Sequence, residues 1–221
     1  MPTQIDRSSI NSFSQALQDH AEDFLVRLGD EDIERLGRYY GLLLKWNSRL
    51  HLVAPGSPAK FATRHILESL LLLRHLPRNA RIADVGSGAG LPIIPCLILR
   101  DDLRATLIES SQRKAVFLRE ALRGLPNSES ANVIVGRFED TVFPEADFVT
   151  CRAIDRFQQV LPNLVDWAPP LTTFLLFAAE SLKVQIEEML SSVEAEQIPG
   201  SEQRLLVIAR GSRLEPKQER R

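Results

Sequence analysis

From Arg81 onward, short apolar runs alternate with amphipathic helical stretches, and this order constrains the fold more than any other feature. Strands are predicted at 81–85, 104–108, 132–136, 147–151, 171–177 and 204–210, with a weaker one near 195–199. Helices are predicted at 91–100, 112–124, 157–166 and 181–191. Alternating strands and helices favour a mostly parallel sheet covered on both faces. The sequence therefore predicts a doubly wound, Rossmann-like α/β domain of about seven strands over residues 79–215.

The first third of the chain is predicted to be helical. Asp30 is placed to cap a helix that runs to about Asn47, because apolar residues follow it at spacings of three and four. Ser57 and Pro58 fit the N-cap and first position of a second helix, which should end near Pro77. We therefore expect a helical N-terminal extension over 1–78, and a polar tail over 216–221.

Composition excludes several classes of protein. The 221 residues are 44% hydrophobic and 25% charged with a net charge of −2, so nucleic-acid binding would need a local basic patch. Cys96 and Cys151 lie far apart, which supports neither a disulfide framework nor a metal site. No signal pattern and no apolar run of roughly 18 residues is present. We expect a cytoplasmic protein without a membrane span.

A glycine-rich loop follows the first predicted strand, with Gly86, Gly88 and Gly90 directly after Asp84 and Val85. Ligands of open α/β sheets bind at such carboxyl ends. A dinucleotide loop has the spacing G-x-G-x-x-G, and here Leu91 occupies the third glycine position. S-adenosylmethionine has no phosphate and instead has an amino-acid end, whose ammonium Asp84 could receive directly or through water. The loop therefore favours S-adenosylmethionine, although an ordinary turn is the alternative.

The next two strand ends supply further cofactor candidates. Glu109 ends the second predicted strand, where a carboxylate can accept both ribose hydroxyls. Phe138 and Glu139 follow the third strand, where adenine should lie, with Phe138 offering an apolar face. The alternatives are a solvated carboxylate for Glu109 and a plain loop at Phe138.

Several motifs in order resemble the RsmG (GidB) family, which methylates N7 of a guanine in bacterial small-subunit (16S) ribosomal RNA. They are Leu44-Lys45-Trp46-Asn47, Arg64-His65-Ile66-Leu67-Glu68-Ser69, Asp84 to Pro92, Arg113 to Leu118, Cys151-Arg152-Ala153, Ile198-Pro199-Gly200 and Arg204 to Ile208. The resemblance covers about residues 30–210 and implies the class I S-adenosylmethionine-dependent methyltransferase fold. It also implies that Gly86 and Leu91 line the cofactor, that Phe138 and Glu139 contact the adenosine, and that Arg152 closes the site near the methionine end.

The chain departs from this family pattern at two places. Ala179 and Glu180 stand where the family usually has Lys-Gly at the end of the fifth strand, and Cys151 stands where serine is usual. The first departure concerns the wall that would face RNA rather than the cofactor site.

Guanine N7 has a lone pair and no proton, so its methylation requires no general base and depends on positioning. Arg152 is the predicted positioning residue, with a pairing to a local carboxylate such as Asp155 as the alternative. Asp155 is also a weak candidate to stabilise the cationic product ring. The weaker RNA candidates are Asn47, Arg64, His65, Arg119 and Arg123. For the last two a solvated helix face is an equally good interpretation, and His65 could be a structural histidine.

Three other functions remain open at this point. A methyltransferase of the same fold could act on a small molecule or a protein, with the N-terminal helices as a lid. A nucleotide-dependent oxidoreductase is disfavoured by the missing third glycine, and a non-catalytic RNA-binding or scaffold module is the third alternative. We expect 16S ribosomal RNA or the small subunit as the partner, and a monomer.

Overall fold

A computed structural model describes residues 7–152 and 157–213, without the side chains of the last two. Its helices are α1 (Arg7–His20), α2 (Asp30–Leu50), α3 (Pro58–Phe61), α4 (Glu68–Leu70), α5 (Ile93–Leu99), α6 (Gln112–Arg123), α7 (Phe157–Trp167) and α8 (Glu180–Met189). Its strands are β1 (Arg81–Val85), β2 (Arg104–Glu109), β3 (Ala131–Val135), β4 (Phe148–Cys151), β5 (Thr173–Ala179), β6 (Leu190–Gln197) and β7 (Arg204–Arg213). Single 3₁₀ turns lie at Glu22–Phe24, Leu71–Arg74, Ser128–Ser130 and Phe138–Asp140.

The strands form one sheet in the order β3-β2-β1-β4-β5-β7-β6. The first five strands are mutually parallel, and β7 runs antiparallel between β5 and β6. The predicted doubly wound α/β fold is therefore confirmed. The weaker strand predicted near 195–199 corresponds to the edge strand β6, which has eight residues and begins earlier than predicted, at Leu190. The chain order reverses between β1 and β4, which is where ligands bind in sheets of this type.

Each face of the sheet has its own core. Along β1, Ile82 packs in one cluster with α5, α6 and the N-terminal helices, whereas Ala83 and Val85 pack in the other, with α7 and α8. Because side chains alternate along a strand, Asp84 points to the same face as Ile82. The Asp84 carboxyl group thus lies on the side of the sheet that the N-terminal helices cover.

Helix α1 has no counterpart among the predicted elements. It buries only Phe13, Ala16 and Leu17 of its 14 residues, so its apolar stripe is too narrow to stand out in the sequence. The ring of Phe13 stacks on that of Tyr40 at 4.4 Å and 14°, which fixes α1 against α2. The N-terminal helices share one core with the sheet, and the boundary placed at 78/79 stays a prediction. The predicted tail lies outside the described residues.

The second N-terminal helix begins as predicted but does not continue as one α-helix. Ser57 caps it by accepting from the Lys60 backbone amide at 3.2 Å, and Pro58 follows. The chain then passes through a π-helical turn at Ala62–Leu67, one α-helical turn and a 3₁₀ turn. Such π turns occur frequently at functional sites, and this one contains Arg64 and His65.

Within residues 7–152 and 157–213, no helix is long and apolar enough to cross a membrane. The same residues contain no group of three or more His, Cys, Asp or Glu side chains that could hold a metal ion.

Candidate active site

The parallel register brings three chain segments to one edge of the sheet. Val85 pairs with Ile108 on one side and with Cys151 on the other. The residues that follow these strand positions are Gly86, Glu109 and Arg152, all of them predicted site residues. Their convergence follows from strand order alone, because parallel strands end at the same edge.

The glycine loop is held by backbone hydrogen bonds to β2. The amides of Gly86 and Ser87 donate to the Ile108 carbonyl at 2.9 and 3.2 Å. Gly86, Gly88 and Gly90 have φ values of 70°, 52° and 80°, which only glycine adopts without strain. The loop therefore needs these three glycines for its backbone conformation.

Gly90 has a packing task as well. A Cβ at this position would lie 2.7 Å from Cγ1 of Ile94 and would also overlap the end of that side chain. Gly90 lines none of the cavities described below. Its predicted cofactor contact stays a prediction, and the structure gives it the role of letting the loop pack on α5.

Glu109 ties the loop to the strand end. Its Oε2 accepts from the Gly88 amide at 2.8 Å, and its Oε1 accepts from the Ser111 amide at 2.8 Å. The side chain is buried, and it lines a cavity beside the glycine loop. Each carboxylate oxygen keeps a second lone pair. The carboxylate could therefore still accept hydrogen bonds from ribose hydroxyls, and this predicted contact stays a prediction.

Asp84 is the least satisfied polar group near the loop. Its residue exposure is 0%, and neither carboxylate oxygen has a hydrogen-bond partner in the described part of the chain. The Ser87 hydroxyl lies next to this group and donates to the Asp84 backbone carbonyl at 2.9 Å. Burial raises the pKa of Asp84 to about 7, although the nearby Ser87 hydroxyl acts to lower it, and the Glu109 charge adds to the rise. A cation placed here would satisfy a carboxylate that the protein itself leaves unpaired.

Tyr39 is a site residue that the sequence analysis misses. Its hydroxyl donates to the Ala89 carbonyl at 2.6 Å, so helix α2 holds the glycine loop directly. Burial, with the Asp84 charge, raises the pKa of Tyr39 far above its ordinary value, which keeps the hydroxyl protonated as a donor. The sequence signal that could have identified it is the position of Tyr39, an aromatic residue next to Tyr40 and just outside the predicted apolar stripe of α2.

The first cavity, the strand-end cavity, has a volume of about 450 Å³ and is lined by Val85, Gly86, Ile108, Ser110, Phe138 and Glu139, among others. Phe138 is buried with its ring edge-on to Trp167 at 5.5 Å, and Glu139 pairs with Arg137 at 3.0 Å. The two residues predicted to contact adenosine therefore lie on one mainly apolar wall.

The second cavity, the glycine-loop cavity, has a volume of about 280 Å³ and is lined by Gly86, Gly88, Leu91, Glu109, Lys114 and Arg152, with Leu52–Ala54, Ser87, Ala89 and His65. It adjoins the strand-end cavity at Gly86. Asp84 is not among the lining residues of either cavity, so it lies behind the loop rather than on the cavity surface. The residues fit S-adenosylmethionine: the apolar wall suits its adenosine, and the negative charge of Asp84 behind the loop would attract an ammonium group in the glycine-loop cavity.

Arg152 is held mainly by the N-terminal helical segment. Its guanidinium donates to the Glu68 carboxylate at 2.8 Å and to the Arg64 carbonyl, and it lies 5.0 Å from the centre of the Phe177 ring. Glu68 is 1% exposed and also accepts from Arg204. Pairing with a carboxylate, the alternative considered for Arg152, is thus found with Glu68, while Asp155 lies outside the described residues. Arg152 still lines the glycine-loop cavity.

The RNA candidates fall into two groups. Asn47, Arg64 and His65 line a third cavity together with Arg152. Both ends of the Asn47 amide are engaged by the Val53 backbone, at 2.9 and 3.1 Å, so in this structure Asn47 fixes a loop. Burial and the Arg152 charge lower the pKa of His65 to about 4, so its ring is neutral at pH 7.

Arg119 and Arg123 are not brought to these cavities. The guanidinium of Arg119 reaches the Val133 carbonyl at 3.5 Å, and Arg123 ends α6 on an exposed surface. Their role in RNA binding stays a prediction. Of the two positions that depart from the family pattern, Glu180 begins α8 and pairs with Lys183 at 3.1 Å. The other, Cys151, is buried.

Comparison with known proteins gives consistent relatives. Residues 32–210 match the model of the GidB family, described as rRNA small subunit methyltransferase G. A protein of Gluconobacter oxydans named ribosomal RNA small subunit methyltransferase G is 42% identical over 147 residues, covering 66% of this chain and 72% of the relative. Its namesake in Nitrosomonas europaea is 36% identical over 170 residues (74% and 78%). The Xanthomonas axonopodis protein of that name is 42% identical over 125 residues (56% and 58%), so the match spans little more than half of that relative.

Solved structures agree on the fold. An RNA methyltransferase from Salinibacter ruber, solved with S-adenosyl-L-homocysteine, superposes with a TM-score of 0.52 at 16% identity, covering 75% of this chain and 98% of that one. A Rossmann-superfamily protein from Streptococcus agalactiae also gives 0.52, at 14% identity and with 67% and 69% covered. Because the family model spans most of the chain, this protein belongs to the GidB family of rRNA small subunit methyltransferase G proteins.

Proposed function

We propose that this protein transfers a methyl group from S-adenosylmethionine to N7 of a guanine in small-subunit ribosomal RNA. The observation that supports this most is the unpaired, fully buried Asp84 carboxylate behind a glycine loop that two adjoining cavities flank. Family membership and the names of the relatives point to the same activity.

The cofactor would be held by residues from three strand ends. Phe138 and Glu139 would contact its adenosine in the strand-end cavity, Glu109 its ribose, and Gly86, Gly88 and Leu91 would line the passage between the two cavities. Asp84 would attract its ammonium, directly or through water. When bound, S-adenosylmethionine supplies a sulfonium methyl group that a nucleophile can accept.

The residues of this chain need only position the acceptor. Guanine N7 offers a lone pair and no proton, so no side chain has to act as a base, and good alignment can supply roughly 7–11 kcal/mol of the acceleration. Arg152 is suited to be a positioning residue, because Glu68 and the Arg64 carbonyl fix its guanidinium at the cavity wall. Its burial lowers its pKa, and the Glu68 charge opposes this effect, so the ion pair keeps Arg152 charged.

We further propose that the substrate is the RNA of the small ribosomal subunit and that the enzyme acts as a monomer in the cytoplasm. The net charge of the protein is −2, so its overall charge does not favour binding to RNA. Binding would therefore depend on the basic side chains around the cavities.

A methyl-incorporation assay tests the proposal. Small subunits lacking the modification would be incubated with the protein and radiolabelled S-adenosylmethionine, and the RNA would be digested and analysed for N7-methylguanosine. We expect label at one guanine with the wild type and none with Asp84→Asn. Absence of label from every guanine N7 of that RNA, with protein that binds S-adenosylhomocysteine, would refute the proposed acceptor.

A further inference from the structure

The third cavity, here the helical cavity, lies between α2, the loop at 53–56 and the start of the π-helical turn. It has a volume of about 390 Å³. Its wall includes Tyr40, Asn47, Lys60, Phe61, Arg64 and His65. The paired hydrogen bonds between Asn47 and Val53 hold the loop that forms one side. None of the cofactor contacts proposed above for the strand ends uses this space.

The helical cavity is next to the glycine-loop cavity. Four residues line both: Val53, Ala54, His65 and Arg152. A ligand in the helical cavity would therefore have only these side chains between it and whatever occupies the glycine-loop cavity. This adjacency is what a second substrate needs in a group-transfer reaction.

The charge of the helical cavity suits an anion. Lys60, Arg64 and Arg152 line it, and no lining residue is a carboxylate. Lys60 and Arg64 are exposed, and the described residues provide neither side chain with an ion-pair partner. These two cations are thus available to a phosphate group, in a protein whose net charge is negative.

The inner wall suits a flat ring with polar edges. The centre of the Phe61 ring lies 4.9 Å from those of Tyr40 and His65, with the ring planes tilted by 32° and 45°, so three rings line this wall. His65 is neutral at pH 7, because burial and the neighbouring guanidinium groups lower its pKa to about 4. Its Nδ1 is buried without a hydrogen-bond partner in the described structure. A nucleobase would give this nitrogen the partner that the protein does not.

We propose that the helical cavity receives the acceptor nucleotide of a single-stranded or looped RNA. The base lies against Phe61 and His65, and a flanking phosphate lies at Lys60 and Arg64. Proteins that read RNA in this manner take bases out of the stack and place them on aromatic side chains. The inference rests on the proposed function, since it assigns the binding place of that acceptor.

Two variants and two matched controls test the assignment. Gly56→Trp fills the cavity from a position where an added Cβ meets only Lys60 Cδ, at 4.0 Å. The double variant Lys60→Ala/Arg64→Ala removes the two free cations. The controls Ser128→Trp and Arg78→Ala/Arg104→Ala likewise introduce one tryptophan or remove two cations, at exposed positions near the amino ends of the strands.

The measurements are kcat/KM for methyl transfer to unmodified small subunits and the Kd of S-adenosylhomocysteine by calorimetry. We expect Gly56→Trp to lower kcat/KM about tenfold or more, as loss of base stacking does, with the Kd within about twofold of wild type. The double variant should also lower the slope of log KM against log salt concentration by about 0.7, the value for the loss of one phosphate contact to a single strand. Both controls should match wild type.

Wild-type rates in Gly56→Trp would overturn the assignment, because the helical cavity would then take no part in the reaction. Weaker binding of S-adenosylhomocysteine as the only defect of Gly56→Trp would also overturn it, because the cavity would then belong to the cofactor site. Failure of the proposed function looks different. In that case the wild type itself transfers no methyl group to small-subunit RNA, while it still binds S-adenosylhomocysteine.

Discussion

The difference in stability between Asp84→Asn and the wild type, both free of ligand, should shift in favour of Asp84→Asn as pH rises. The wild-type carboxylate is fully buried without a partner, and its pKa is raised from 3.8 to about 7. The unfolded chain therefore releases this proton at a lower pH than the folded one. Wild-type stability must fall as pH rises from about 4 to about 7, and the loss is complete above that range. Asparagine does not ionise and is free of this loss.

The magnitude follows from the two pKa values. A shift of one pKa unit corresponds to 1.36 kcal/mol. With 3.8 in the unfolded chain and about 7 in the fold, the free energy of unfolding should fall by about 2–3 kcal/mol between pH 5 and pH 8 through Asp84 alone. The asparagine amide leaves its own buried groups unpaired, which costs about 1–3 kcal/mol at every pH. The test is therefore how the stability difference between Asp84→Asn and wild type changes with pH, rather than its value at any one pH.

Urea unfolding followed by circular dichroism at pH 5, 6, 7 and 8 measures this slope. The difference between Asp84→Asn and wild type should grow by about 2–3 kcal/mol across the range, since all other titrating groups are shared. Glu129→Gln, which removes one exposed carboxylate, serves as the control. A difference that stays constant from pH 5 to pH 8 would show that the fold does not raise the pKa of Asp84, and Asp84 would then not be an unpaired carboxylate that attracts a cation.

Three further substitutions test how the site is built. Tyr39→Phe removes the hydroxyl that donates to the Ala89 carbonyl, so we expect the free energy of unfolding to fall by about 1–2 kcal/mol. Calorimetry should also show weaker binding of S-adenosylhomocysteine, and an unchanged affinity would mean that α2 does not order the glycine loop. Glu68→Gln removes the carboxylate that two arginines share, so we expect the free energy of unfolding in urea to fall by about 2–4 kcal/mol. An unchanged free energy of unfolding would show that water solvates the guanidinium groups well enough without Glu68. Gly90→Ala combines a positive φ with a clash against Ile94; a loss of about 2 kcal/mol or more in thermal unfolding is expected, and wild-type stability would contradict the packing described for the loop.

Much of the α/β domain was predictable from local pattern. Strands such as β1 and β2 are buried on both faces and appear as short apolar runs, so their positions were predicted to within one or two residues. The site at the strand ends followed from the same logic, because Asp84 is the last residue but one of β1 and Glu109 is the last residue of β2. Arg152 was predicted as a site residue from the family resemblance, and its position beside Gly86 and Glu109 follows from the strand order that the structure shows.

The parts that escaped prediction depend on long-range packing. Helix α1 has too few buried residues for its period to be recognised, and the π turn at Ala62–Leu67 interrupts a pattern that looks like one helix. Tyr39 meets Ala89 across 50 residues of sequence, and the Arg152–Glu68 pair spans 84. Such contacts are set by how the N-terminal helices dock on the sheet, which no local spacing encodes.

Calorimetric titration of the wild-type protein with S-adenosylhomocysteine and, separately, with NADH tests the central claim most directly. The glycine spacing, with Leu91 in the position of a third glycine, and the unpaired Asp84 carboxylate both favour the methyl-donor product over a dinucleotide. We predict saturable binding of S-adenosylhomocysteine, lost in Asp84→Asn, and no binding of NADH. Binding of NADH without binding of S-adenosylhomocysteine would contradict the account of this site.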